Sequence, residues 1–103
     1  MPLPPGAALE FAFAGVLWYW RGPAPYHFIT VPPDAARAIH AIATAVTYGW
    51  GMIPAEVRIG ASTWTTALWS KDGGYVIPIK DRYRKAERLV LGDMADVQLV
   101  VQR

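Results

Sequence analysis

The sequence contains no cysteine, which excludes both a disulfide framework and a thiolate metal site. With 103 residues the chain is also too short for a two-domain enzyme, so we expect one small domain. Charged residues are scarce at 17%, whereas hydrophobic residues make up 53%, which excludes a disordered tail. Stability must therefore come from the packing of an apolar core.

Long hydrophobic runs and a targeting segment are missing as well. No uncharged window reaches the roughly 20 residues that a spanning helix needs. The stretch 1–8 has no basic region of the kind that opens a signal peptide. We expect a soluble, cytoplasmic protein with no membrane partner, in which residues 1–7 are a flexible proline-rich lead-in and residues 8–103 are the domain.

Groups that carry catalysis or bind metals are few. The two histidines, His27 and His40, have no short metal-binding spacing, and the eight Asp and Glu residues form no cluster. Gly73-Gly74 is typical of a hairpin turn, because the Lys-Ser/Thr ending of a phosphate loop is absent. We expect no metal, no cofactor and no catalytic residue, so the sequence favours a binding protein over an enzyme.

Aromatic residues, in contrast, are abundant, with five Trp, five Tyr and three Phe. Each buried ring removes roughly 150 to 250 Å² from water, so a few of them suffice for most of a small core. Phe11, Phe13, Phe28 and Trp64 are assigned to that core. The aromatics near turns need another explanation, and a ligand-binding surface is one.

Hydrophobic patterning and turn residues predict six strands and two helices. The strands are predicted at 9–20, 26–31, 53–59, 63–69, 75–77 and 94–101, and the helices at 33–48 and 79–89. The dense aromatic and branched run 9–20 is typical of a strand buried on both faces, and Gly15 predicts a bulge or bend in it.

The two halves of the chain follow one plan of hairpin, hydrophobic-Pro step, helix, Gly turn and closing strand. The matching segments are Leu17-Trp18 with Leu68-Trp69, Val31-Pro32 with Ile77-Pro78, and 55–59 with 95–99. Two such pseudo-repeats predict a mainly β fold, a six-stranded double-split, swapped-hairpin-like β-barrel capped by the two helices.

Two sets of residues carry a resemblance to known families. The segment Val76-Ile77-Pro78-Ile79-Lys80, with Arg84-Lys85-Ala86 and Leu91-Gly92-Asp93, is similar to the swapped-hairpin pattern of AbrB/MazE proteins. Almost the whole chain resembles a bacterial family catalogued as domain of unknown function nineteen hundred and five. The matching residues are Phe13, Gly15, Trp18, 20–26, Val31-Pro32, 49–51, Thr63-Trp64, 71–73, Tyr75 and 91–93. That resemblance implies a double-split β-barrel capped by helices, and it implies no activity.

A binding surface is predicted around the first hairpin loop. An arginine between large rings, as at Trp20, Arg21 and Tyr26, suits an anion or carboxylate, although Arg21 stacked on those rings would equally rigidify the hairpin. Tyr48 and Trp50, beside glycines after the first helix, join the candidate site or simply mark the end of the helix. The predicted function is a non-catalytic module, monomeric or weakly dimeric, that binds a small molecule or a protein at these residues.

The segment 80–88 carries five cations against two carboxylates, and the rest of the chain has a slight negative excess. In a helix, Lys80, Arg84 and Arg88 would form one line at i, i+4 and i+8. An alternative function is therefore an AbrB-like protein that binds nucleic acid through Lys80, Arg82, Arg84, Lys85 and Arg88. A solvated helix face explains the same pattern without a partner.

Overall fold

The computed structural model describes residues 8–21, 26–46 and 52–101, and for 43–46 the backbone alone. The described strands are β1 (Leu9–Trp20), β2 (Tyr26–Thr30), β3 (Ile53–Ile59), β4 (Ser62–Lys71), β5 (Gly74–Ile79) and β6 (Met94–Val101). The helices are α1 (Pro33–Val46), between β2 and β3, and α2 (Asp81–Ala86), between β5 and β6. Within these residues neither helix is long and apolar enough to cross a membrane. The predicted lead-in 1–7 lies outside them.

The six strands close into an antiparallel barrel in the order β1-β2-β5-β4-β3-β6. Exchanging the two halves, so that β1 takes the place of β4, β2 of β5 and β3 of β6, leaves this ring order unchanged. The predicted six-stranded barrel built from two pseudo-repeats is therefore confirmed. Each of the six described strands pairs with a neighbour on both sides, so the closed barrel protects its strand edges.

The predicted match between the two hydrophobic-Pro steps of the repeat is wrong by two residues. Trp18 lies opposite Phe28 in the β1–β2 pair, and its repeat counterpart Trp69 lies opposite Val76 in the β4–β5 pair. Val76 is therefore the structural counterpart of Phe28. Pro32 follows β2, whereas Pro78 lies within β5 opposite Phe28, so the two prolines do not mark equivalent places in the ladders.

The core fills the interior of the barrel. In β3 the side chains alternate strictly between buried and exposed, as expected for a strand with one face on a core and the other in water. Trp64 is buried in the core, and Phe11 and Phe13 pack against it partly buried, so these three predictions are confirmed.

The expectation that β1 is buried on both faces is wrong, because every second residue from Glu10 to Val16 faces outward and is exposed. The predicted bulge at Gly15 is also absent, since this residue continues the β6 ladder opposite Ala95. β1 pairs with β6 as far as Val16 and with β2 from Leu17 onwards. Gly15 thus lies where the strand passes from one neighbour to the other.

The two helices cover opposite ends of the barrel. α1 lies at the end where β5 begins and buries Ala35, Ala36 and Ile39 against the core. α2 follows the other end of β5, where the Tyr83 ring stacks on Trp64 with a centroid separation of 4.3 Å. The predicted capping of both ends is confirmed.

Candidate functional site

Five aromatic side chains gather on the outside of the barrel, on β1, β2 and β4. Phe28 is the centre, with ring centroids 5.1 Å from Trp18, 5.2 Å from Trp69, 6.1 Å from Tyr26 and 6.5 Å from Trp20. Tyr26 and Trp69 also meet edge to face at 5.3 Å, a geometry that aromatic quadrupoles favour. We call these five residues the aromatic face.

Phe28 is buried, as predicted, but it packs in a layer outside the barrel and not in the cluster that fills the interior. Its side chain is 1% exposed because the surrounding rings cover it from outside the barrel, whereas Trp20 is 44% exposed. Phe28 is therefore the floor of the aromatic face, and Trp20 and Tyr26 are its exposed rim. A small cavity of about 150 Å³ lies between Trp18, Trp20, Phe28 and Trp69.

A larger cleft of about 670 Å³ lies between α1 and the β4–β5 hairpin. Ala36 and His40 of α1 line one wall, and Tyr75 of β5 lines the other. Trp18, Lys71 and Val76 line both this cleft and the smaller cavity, so the two lie side by side. We call the combined depression the Trp18 groove.

Polar groups occur at the cleft end of the Trp18 groove. The Tyr75 hydroxyl lies 3.5 Å from His40 Nδ1, and the Trp18 indole N–H donates a hydrogen bond of 2.9 Å to Thr30 Oγ1. Burial raises the pKa of Tyr75, which keeps the hydroxyl protonated near neutral pH. Tyr75 is thus suited to hydrogen bonding rather than to base catalysis.

The cations at the cleft are already paired. Lys71 Nζ lies 3.4 Å from Asp72 Oδ2, and the Arg37 guanidinium contacts Asp34 one helical turn earlier. These exposed pairs are weak, but they bring the local charge close to neutral. The groove is therefore not a strong anion site.

The structure brings together only part of the predicted site. Trp20 and Tyr26 face each other across β1 and β2, and Arg21 is exposed directly after β1. Tyr48 and Trp50 lie outside the described residues. The assignment of all five to a ligand site stays a prediction.

Sequence reasoning missed most of the groove, namely Trp18, Trp69, Ala36, His40 and Tyr75. One signal was available, because Trp18 and Trp20 are two residues apart and must share a face of a strand. The repeat also matched Trp18 with Trp69 and so placed both at equivalent positions. No local pattern indicated the cleft, which forms only when α1 meets the hairpin.

The predicted helical line of cations does not form, because α2 ends at Ala86 and Arg88 adopts a positive φ of 55° beyond it. Arg84 is also engaged: its Nε lies 3.3 Å from Asp81 Oδ1, and its Nη1 donates a 3.3 Å hydrogen bond to the Leu89 carbonyl. Lys80, Arg82, Lys85 and Arg88 remain exposed. Binding of nucleic acid by this segment stays a prediction.

His27 is the side chain whose protonation opposes folding most clearly. Burial lowers its pKa below the ordinary value of 6.5, the positive charge of Arg84 lowers it further, and Asp81, at 3.6 Å, opposes the shift. Since the unfolded chain then binds the proton more readily, stability is lost as the pH falls below 6.5. We expect the free energy of unfolding to decrease from about pH 7.5 to about pH 5.5 more in the wild type than in His27→Gln.

Urea denaturation of both proteins at the two pH values measures this difference. Every other residue is common to both proteins, so the difference between them isolates the contribution of His27 and its contacts. Equal pH dependence in the two proteins would contradict the account of His27.

The fold and the groove define a class, a small closed-barrel domain with an aromatic depression on its outer face. The family model described as Domain of unknown function (DUF1905) matches residues 13–99, most of the chain. The chain therefore belongs to this family, and the resemblance found in the sequence is confirmed. No curated protein matches the chain. Similarity to AbrB-type proteins stays a prediction.

Within the described residues no three His, Asp or Glu side chains converge in a way that could hold a metal ion.

Proposed function

We propose that the protein is a non-catalytic binding module that holds a small molecule with a flat, apolar body in the Trp18 groove. The observation that carries this proposal is the aromatic face, whose rings lie outside the barrel and are not part of its core. Aromatic rings attract one another beyond the area they bury, and a flat ligand ring placed among them gains the same interaction.

The shape of the groove supports a small molecule over a protein partner. Ligand sites are concave, with volumes of about 300 to 1,000 Å³, and the cleft has about 670 Å³. A stable protein interface instead covers about 800 Å² of each partner, most of it on a flatter surface.

The polar groups narrow the chemistry of the ligand. The Tyr75 hydroxyl and His40 offer hydrogen bonds at the cleft end, away from most of the aromatic face. Lys71 and Arg37, which also line the cleft, already contact carboxylates. The proposed ligand is therefore an aromatic compound that carries one polar substituent and little net charge.

Trp69→Ala is expected to weaken the binding of such a compound by about tenfold or more, because one stacking ring is worth about 1 to 3 kcal/mol. The probes are naphthalene and indole fragments, with affinities measured by NMR titration. Tyr19→Ala is the matched control, since Tyr19 lies on β1 between Trp18 and Trp20 and is 37% exposed, but does not line the groove. An unchanged affinity in Trp69→Ala, or an equal loss in both variants, would refute the proposed site.

A further inference from the structure

Apolar side chains are exposed at the end of the barrel that α2 covers. Leu91 is 56% exposed, Val90 59% and Met94 63%. Val16, opposite Met94 in the β1–β6 ladder, is 44% exposed and extends the same patch. We call these four residues the apolar tip. These four residues belong neither to the Trp18 groove nor to the core, so their exposure needs another explanation.

The segment that carries the apolar tip is held firmly to the barrel. The Gly92 N–H donates a 3.0 Å hydrogen bond to the Leu17 carbonyl, and the Leu17 N–H donates one of 2.9 Å to the Asp93 carbonyl. The Val90 N–H donates to Asp93 Oδ2 at 2.9 Å, and Leu89 packs against the core. The fold therefore fixes this segment in a conformation that exposes Val90 and Leu91.

Exposed cations precede the apolar tip directly in the chain. They are Lys80, Arg82, Lys85 and Arg88, on or beside α2. The carboxylate of Glu87 is turned away, because the Ser62 hydroxyl donates a 2.7 Å hydrogen bond to it. This end of the barrel thus presents aliphatic side chains together with four exposed cations, of which Arg82 lies over the Tyr83 ring, and one exposed carboxylate, Asp81.

The conformation of Arg88 adds to this picture. Arg88 follows α2 with a φ of 55°, and the Leu89 N–H donates a hydrogen bond to the Arg84 carbonyl. In helices that end in this way, glycine usually occupies the position that Arg88 holds here. Arginine in this conformation strains the backbone. Strain of this kind is common where a side chain serves a function.

We propose that this end of the barrel is a peripheral docking surface for an anionic lipid bilayer. The apolar tip enters the boundary between headgroups and acyl chains, and the four cations contact lipid phosphates and carboxylates. The expectation of no membrane partner rested on the absence of a spanning segment, and a peripheral surface needs none.

Other partners explain the features less well. Nucleic acid would use the cations, but its phosphate backbone gives no role to exposed Val90, Leu91 and Met94. A second copy of the chain would bury four aliphatic side chains, much less than the roughly 800 Å² per partner of a standard interface. An anionic bilayer uses both the charge and the apolar side chains.

Co-sedimentation with vesicles tests the proposal on the whole chain. We expect binding to phosphatidylcholine vesicles that contain about one third phosphatidylserine, weak or no binding to pure phosphatidylcholine, and a loss of binding as salt is added. Leu91→Asp is expected to abolish binding. Met52→Asp is the matched control, because Met52 is 40% exposed at the opposite end of the barrel and should not affect binding.

Arg88→Gly separates binding from folding. Relief of the positive φ is expected to raise Tm, while the loss of one cation weakens binding to the anionic vesicles about fivefold.

Three outcomes would overturn the proposal. One is no binding to anionic vesicles at low salt. Another is binding to duplex DNA that Lys85→Glu abolishes and Leu91→Asp does not, which would favour nucleic acid. The third is a dimer in solution that Leu91→Asp dissociates, without vesicle binding by the wild type. None of these bears on the Trp18 groove, which is tested separately.

Discussion

Replacing Phe28 with alanine is expected to lower the free energy of unfolding by about 3 to 5 kcal/mol, although the side chain lies outside the barrel. Phe28 is 1% exposed and touches four other aromatic rings, so its removal leaves a cavity that these rings cannot close. A small domain has only about 5 to 15 kcal/mol of stability in total. Urea denaturation measures the loss.

Trp20→Ala is the comparison that gives this prediction its meaning. Trp20 is 44% exposed, so its replacement by alanine is expected to lower the free energy of unfolding by about 1 kcal/mol or less. Such a difference would show that the aromatic face has a structural floor and a rim free to bind. A cost for Phe28→Ala as small as that for Trp20→Ala would mean that the rings are not packed as one layer.

Gly15→Val is expected to destabilise the protein by about 3 kcal/mol, at the upper end for an overpacked core. A Cβ atom at this position would lie 2.5 Å from Ile29 Cγ2, and Ile29 is completely buried. The absence of a side chain at Gly15 lets β1 approach β2 where the strand changes neighbour.

Ala14→Val is the matched control for this substitution. Ala14 is adjacent on β1 but faces outward and is exposed, so valine there should change stability by no more than about 0.5 kcal/mol. Thermal or urea unfolding of both variants compares the two positions. Equal stabilities would contradict the close packing of Gly15 against Ile29.

The barrel could be predicted from the sequence because its interior admits one face of each strand. The alternation of apolar and polar residues at 53–59 and 94–101 therefore matches the alternation of buried and exposed side chains, and β3 and β6 have the predicted bounds. The pairing of β2 with β5 has no local signal. Only the repeat could have predicted this pairing, because it requires the two halves of the chain to interlock.

The sequence predicted only part of the aromatic face, namely Trp20 and Tyr26, because strand β1 is apolar on both sides in this region. Inward Leu17 and outward Trp18 and Trp20 form one dense run that does not distinguish the core from an outer cluster. The outer cluster forms only because Trp69, from the second half of the chain, packs against Phe28. The cleft likewise depends on tertiary contact between α1 and the hairpin.

The length of α2 was overestimated for a different reason. The residues after Ala86 favour helix by composition, but Glu87 hydrogen-bonds with Ser62 and Leu89 is drawn into the core. These two contacts outweigh the local preference and turn the chain at Arg88. The exposed apolar tip follows from that turn.

The most direct test of the proposed binding site is an amide and indole ¹⁵N–¹H NMR spectrum recorded while naphthalene and indole fragments are added. Substitution of single tryptophans by phenylalanine assigns the indole signals. We predict that fragments bind and shift the signals of Trp20 and Trp69, while that of Trp64, buried inside the barrel, stays in place. No binding at about millimolar fragment concentration, or shifts confined to residues outside the Trp18 groove, would contradict the account.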